Sequence, residues 1–131
     1  MTFETLVVER DGALPGLMTV TLNRPEKLNA INVQMHDDLQ RVCRDLQDDY
    51  ETRVVIVTGA GRAFSSGADL SSVRAGQPAN DLDRRLRVHI GGRTSAMLER
   101  LDQVTIGAIN GLCIGGAVVF ASCMDLRVAA K

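Results

Sequence analysis

The feature that most constrains this chain is a β-branched run that stops at glycine. Val54–Thr58 (VVIVT) leads into Gly59-Ala60-Gly61, and then into Phe64-Ser65-Ser66-Gly67-Ala68-Asp69. A short Val/Ile/Thr run without polar alternation is the pattern of a strand buried on both faces of a parallel sheet. In open α/β layers the carboxyl ends of such strands are where ligands bind. Small side chains there leave backbone N–H groups uncovered, and glycine permits close approach and positive φ. Taken alone, the 64–69 stretch reads equally as a tightly packed turn and as a loop presenting a main-chain donor to an oxygen.

The remaining segments supply the alternation that a parallel strand needs. Thr5–Arg10 and Leu17–Leu22 (LMTVTL) read as a hairpin around Asp11-Gly12, and Asn23-Arg24-Pro25 breaks it. Asn32 is placed to cap a helix in which Met35, Leu39, Val42, Cys43 and Leu46 recur at helical spacing. Ser71–Asn80 is rich in small and polar residues and reads as a mobile loop. Asp81–Leu101 is helical by pattern, with Leu82, Leu86, Ile90, Met97, Leu98 and Leu101 as its apolar set and Gly91-Gly92 as a point of kinking or division. Arg84, Arg85, Arg87 and Arg93 on that segment form either a solvated face or a phosphate contact. Val104–Asn110 is a further strand, AVVFASCM an apolar helix, and Leu126–Ala130 a last strand. A hairpin followed by β–α alternation predicts one α/β domain over residues 1–131, with mostly parallel strands.

Composition narrows the function. The formal net charge is −1, which argues against a general nucleic-acid binder. No apolar run approaches membrane-spanning length, and the start MTFETLVVERDG is not a signal peptide. The three cysteines, Cys43, Cys113 and Cys123, lack metal-ligand spacing, and with no secretion signal they predict reduced thiols in the cytoplasm. Ser65-Ser66-Gly67 is not a nucleophile elbow, and no His or acid is placed by sequence to activate either serine. His36 and His89 read as surface or satisfied histidines.

A second strand-end turn carries the functional reading. In Ala108–Val119 (AINGLCIGGAVV) a strand ends in glycines and a helix begins at once. The first N–H groups of a helix lack internal partners and carry the positive end of its dipole. Two such loops together suggest an oxyanion hole, built from main chain and needing no catalytic side chain.

Four stretches, NRPEKLNAIN at 23–32, VVIVTGAGRAFSSGADL at 54–70, AINGLCIGGA at 108–117 and SCMDLRVAA at 122–130, resemble the enoyl-CoA hydratase/isomerase (crotonase) family in order and spacing. The resemblance implies a crotonase-like ββα spiral core and binding of an acyl-CoA thioester, with coenzyme A part of the substrate and no separate cofactor or metal. It implies N–H donors from Ala68 and Gly116 to the thioester oxygen. It also implies a nucleotide groove formed by backbone around Lys27, Leu28 and Ala30, with Ser66, Ala68, Asp69 and Leu70 alongside. Asp69 is expected to cap a following turn rather than to act chemically.

Two departures accompany the resemblance. Val119 stands where family hydratases carry a Glu, on the helix face of Gly116 and so toward the substrate; the second family Glu falls beyond Lys131. The family is also about twice this length by the resemblance. The chain is therefore expected to be an N-terminal half, a split product or a truncated paralogue. Full-length trimers or hexamers are implied, with a separate C-terminal fragment as a further partner. Residues 1–131 alone are expected not to form a stable active monomer. The alternatives are a non-catalytic crotonase remnant that binds acyl-CoA or another subunit, and an NAD-type dinucleotide-binding oxidoreductase. For the latter, VVIVTGAGRA lacks the G-x-G-x-x-G spacing: after Gly59 and Gly61 the next glycine is Gly67.

Overall fold

The computed structural model describes residues 2–71 and 78–131. Most of the predicted 71–80 loop therefore lies outside the described residues. Strands β1 (Leu6–Arg10) and β2 (Leu17–Leu22) pair antiparallel, Leu6 opposite Leu22, as the hairpin pattern predicts. β2 then pairs parallel with β3 (Val54–Gly59), β3 with β5 (Val104–Ile109), and β5 with β7 (Leu126–Ala129). The large sheet runs β1-β2-β3-β5-β7. A second, two-stranded parallel sheet joins β4 (Ala63–Ser65) to β6 (Leu112–Cys113), segments that read as loops in the sequence. β3 and β5 are thus each followed by a short strand in the small sheet and then by a helix. β3-β4 leads to α2 (Asp81–Glu99), and β5-β6 leads to α3 (Gly116–Ser122). This is a ββα repeat winding through two layers.

Helix α1 (Val33–Gln47) starts where expected: the Asn32 side chain accepts from Met35 N–H at 2.9 Å. Met35, Leu39, Val42, Cys43 and Leu46 are buried on one face, against Met18, Val20, Leu22, Val55 and Val57 from alternate positions of β2 and β3. Phe64, Ala117 and Phe120 complete that core. α2 is not divided at Gly91-Gly92. It continues through them, with the Thr94 and Ser95 hydroxyls donating to the carbonyls of Ile90 and Gly91 at 3.0 and 2.9 Å. Interior glycine lowers helix propensity by about 1 kcal/mol, which packing of α2 through Thr94 and Leu98 outweighs. The predicted apolar set holds only for its C-terminal half, since Leu82 and Leu86 are exposed.

Asp38, Asp49 and Asp125 pin elements together by accepting hydrogen bonds, Asp38 from a buried position and Asp125 from an exposed one. Asp38 of α1 is fully buried and accepts from the backbone N–H and hydroxyl of Thr5, at 2.9 and 2.8 Å, and from the Gln34 amide at 3.0 Å. Burial opposes its ionisation, but these donors outweigh burial and hold its pKa below the ordinary 3.8. Asp49 accepts from the Thr52 hydroxyl and Arg10, and Asp125 from the backbone N–H and hydroxyl of Thr105, and both pKa values are lowered in the same way. A depressed carboxylate pKa contributes stability that is complete above the unfolded-state value and is lost as pH falls through the folded-state value. Thermal melting should therefore show a melting temperature that changes little from pH 7 to 5 and falls steeply below pH 4, and Asp38→Ala should lower stability at pH 7 by about 3 kcal/mol.

Candidate functional site

The site begins at a left-handed bend. After the 3₁₀ turn Pro25–Lys27, Leu28 and Asn29 both have positive φ, at 52° and 54°. The bend turns the fully buried Asn29 side chain toward the β3–β4 connection. Its Oδ1 accepts from Arg24 N–H at 2.8 Å, and its Nδ2 donates to the carbonyls of Ala60 and Ala63, each at 2.9 Å. Asn110, at the end of β5, grips the same turn from the other side: Nδ2 donates to Gly59 and Gly61 carbonyls, and Oδ1 accepts from Gly59 N–H. After Gly61 the chain enters β4 and not a helix, so the glycines that suggested a dinucleotide fingerprint do not open a helix.

The two strand-end turns then meet backbone to backbone. Gly67 has φ 85°, and a Cβ on it would lie 2.7 Å from the Ile114 carbonyl and 3.2 Å from Gly116 N. Gly115, the cap residue of α3, has φ 58°. Between them stands Ala68, bridged in parallel to Ile31. Ile31 N–H donates to the Gly67 carbonyl at 2.8 Å, and Asp69 N–H donates to the Ile31 carbonyl at 2.9 Å. In a parallel bridge the middle residue, here Ala68, directs its own N–H away from the partner strand. Neither Ala68 N–H nor Gly116 N–H donates to another described residue. A Cβ on Gly116 would come within 3.9 Å of Ala68 N, so the two amides share one junction.

Ser66, Asp69 and Leu70 flank Ala68 in the chain. Ser66 N–H donates to the Leu28 carbonyl at 2.9 Å, laying 66–69 alongside Lys27–Ala30. Asp69 accepts from the backbone and hydroxyl of Ser71 through Oδ1, the expected turn cap, and from Arg24 through Oδ2 at 2.9 Å. The Ser71 hydroxyl first, and the Arg24 guanidinium next, hold its pKa at about 2. Leu70 is exposed. Val119 is 52% exposed on α3. Beside Ala68 and Asp69 a cleft of about 370 Å³ opens between the start of α1 and α2, with Arg84 and Arg87 among its lining residues.

Side chains that offer nucleophilic chemistry in sequence are otherwise engaged. The Ser65 hydroxyl is buried, donates to the Asn29 carbonyl at 2.7 Å and accepts from Gly67 N–H at 3.1 Å. Burial raises the pKa of all three cysteines, that of Cys43 to about 11. Sequence reading assigned no role to Arg24, Asn29, Ser65 or Asn110, the residues that hold the junction. A signal for Asn29 exists in retrospect: Asn is enriched in the left-handed region that a bend between a proline turn and a helix requires. Gly67→Ala should destabilise the chain by about 2–3 kcal/mol in denaturant titration, through positive φ and the clash with Ile114. Gly12→Ala, where a Cβ meets nothing within 4 Å, should stay within about 0.5 kcal/mol.

Comparison with known proteins gives the lineage of this arrangement. Residues 13–131 match the family described as enoyl-CoA hydratase/isomerase. The short-chain-enoyl-CoA hydratase of Clostridium acetobutylicum is 32% identical over 132 residues, covering 100% of this chain and 48% of that protein. The 1,2-epoxyphenylacetyl-CoA isomerase of Escherichia coli is 36% identical over 118 residues, covering 88% of this chain and 45% of that protein. Among solved structures, an enoyl-CoA hydratase/isomerase from Xanthobacter autotrophicus superposes with a TM-score of 0.89 at 31% identity, covering 98% of this chain and 46% of that one. An enoyl-CoA hydratase from Bacillus anthracis superposes at 0.85 with 35% identity, covering 96% and 47%. The chain thus spans about half the length of the relatives it matches. With its ββα winding and paired strand-end turns, it belongs to the enoyl-CoA hydratase/isomerase family and has the crotonase fold.

Proposed function

We propose that this protein binds an acyl-CoA thioester and holds its carbonyl oxygen on the N–H groups of Ala68 and Gly116, stabilising the charge of an enolate. The observation that carries this reading is the pair of undonated amides at one junction, each fixed by backbone geometry on a different strand-end turn. Such donors act on charge that develops during reaction, and losing one costs about 3 kcal/mol of transition-state stabilisation. On this reading the groove along Lys27, Leu28 and Ala30, with Ser66, Asp69 and Leu70, takes the nucleotide end of coenzyme A. The acyl group then lies on the other flank of Ala68, in the cleft toward α2. The Arg24–Asp69 pair has a positioning role: it ties residues 24–30 to the residue after Ala68.

Val119 narrows the chemistry. An isopropyl side chain moves no proton, so hydration by two carboxylates is not what these residues provide. A reaction needing one base remains, or binding without turnover, and the valine favours binding as the second reading. Crotonyl-CoA hydration by the purified protein should fall well below the roughly 10 s⁻¹ typical of enzymes. Hydration at or above that rate would contradict the role given to Val119.

Gly116→Pro tests the donor itself. Proline suits the first position of a helix, and a Cβ at Gly116 meets only ordinary contacts. The variant should melt near the parent temperature yet lose the preference for acetyl-CoA over free CoA in calorimetry. A retained preference in a folded variant would remove Gly116 N–H from the site.

A further inference from the structure

The cleft beside Ala68 is walled mainly by apolar side chains, Ile31, Val33, Val88 and Ile90 among them, and His36 also lines it. Its imidazole is held firmly. Nδ1 lies 2.9 Å from the Thr94 Oγ1, and the Phe120 ring packs edge-on, centroids 5.7 Å apart at 88°. The buried Thr94 hydroxyl has two other partners: it donates to the Ile90 carbonyl at 3.0 Å and accepts from the Gln40 Nε2 at 3.0 Å. A hydroxyl has one hydrogen and two lone pairs. Giving the hydrogen to Ile90 and one lone pair to Gln40 leaves the second lone pair for His36, an assignment that pairs all three contacts and puts the proton on Nδ1. The neutral ring then has a bare Nε2. Burial lowers the pKa of His36, which favours that neutral form. Nε2 has no hydrogen-bond partner among the described residues and is not sealed from solvent.

We infer that His36 Nε2 is a hydrogen-bond acceptor facing the acyl group, and that it selects thioesters whose acyl chain bears a hydroxyl. The inference rests on the thioester reading of Ala68 and Gly116. In a mainly apolar cleft a bare acceptor rewards a donor, and an acyl chain without one leaves Nε2 unpaired. Arg84 and Arg87 also line this cleft, from the exposed face of α2, and Asp83 pairs with Arg87 at 3.0 Å. An anionic acyl group is therefore the rival occupant.

Calorimetry of the purified protein with CoA, butyryl-CoA, 3- and 4-hydroxybutyryl-CoA and succinyl-CoA separates these cases. One hydroxybutyryl-CoA should bind about three- to ten-fold more tightly than butyryl-CoA, and His36→Leu should bind the two equally. In the parent protein, nitrogen NMR should report Nδ1 protonated and Nε2 bare, with Nε2 shifting on addition of that hydroxyacyl-CoA and not of butyryl-CoA. This second measurement stands if the variant fails to fold. An Nε2-protonated ring, equal binding of all butyryl derivatives in the parent, or a hydroxyl preference that survives His36→Leu would overturn the inference, as would tightest binding of succinyl-CoA. If all acyl-CoAs bind more tightly than CoA but without hydroxyl preference, only the role of His36 falls. If none binds more tightly than CoA, the thioester reading falls and takes this one with it.

Discussion

Asn29 is a fully buried amide whose side chain is spent entirely on main chain. Its two donors take the carbonyls of Ala60 and Ala63, and its oxygen takes the N–H of Arg24. Its own carbonyl accepts the Ser65 hydroxyl, which in turn accepts Gly67 N–H. Removing that amide would leave buried main-chain groups unpaired, each costing roughly 1–3 kcal/mol. Through this one residue the 24–31 segment, the β3–β4 turn and the Gly67 loop are fixed relative to one another. The parallel bridge from Ile31 to Ala68 then aims the Ala68 amide, and Asn110 secures the same turn from the side of β5.

The consequence is a site made of backbone. Glycine at 67 and 115 lets the two turns touch, and alanine at 68 adds little bulk, so two amides stand at one junction. The polar side chains nearby are consumed in holding that geometry: Ser65 by Asn29 and Gly67, Asp69 by Ser71 and Arg24. Thiols are kept protonated by burial. On the proposed reading such a site would polarise a carbonyl well and transfer protons poorly. Proton transfer there would need a base from elsewhere, since the Val119 side chain carries no proton-transferring group.

Much of this was legible in the residues, and the gaps have a common cause. Strands β2 and β3, the Asn32 cap and the buried face of α1 follow from local periodicity, and local periodicity survives in a short window of sequence. The glycine turns at 67 and 115 were legible as turns, and family resemblance singled out Ala68 and Gly116. The small sheet was not legible: β4 and β6 are only three and two residues long, and their pairing joins residues far apart in sequence, Ala63 with Leu112 and Ser65 with Cys113. Asn29 and Asn110 were hidden for the same reason, since each acts on a turn distant in sequence. Gly91-Gly92 misled in the other direction. Glycine penalises a helix locally, but side-chain bonds back to Ile90 and Gly91 and the packing of Thr94 and Leu98 carry α2 through it.

On the proposed reading, two main-chain amides, from Ala68 and Gly116, converge on one thioester oxygen. Amide NMR of the nitrogen-labelled protein, titrated in parallel with acetyl-CoA and with free CoA, reads those two groups directly. Both resonances should move downfield with acetyl-CoA and stay nearly still with CoA, while amides along Lys27–Ala30 respond to both ligands. If the Ala68 and Gly116 amides are unmoved by the thioester, or move equally with free CoA, the oxygen does not sit between the two turns and the account is wrong.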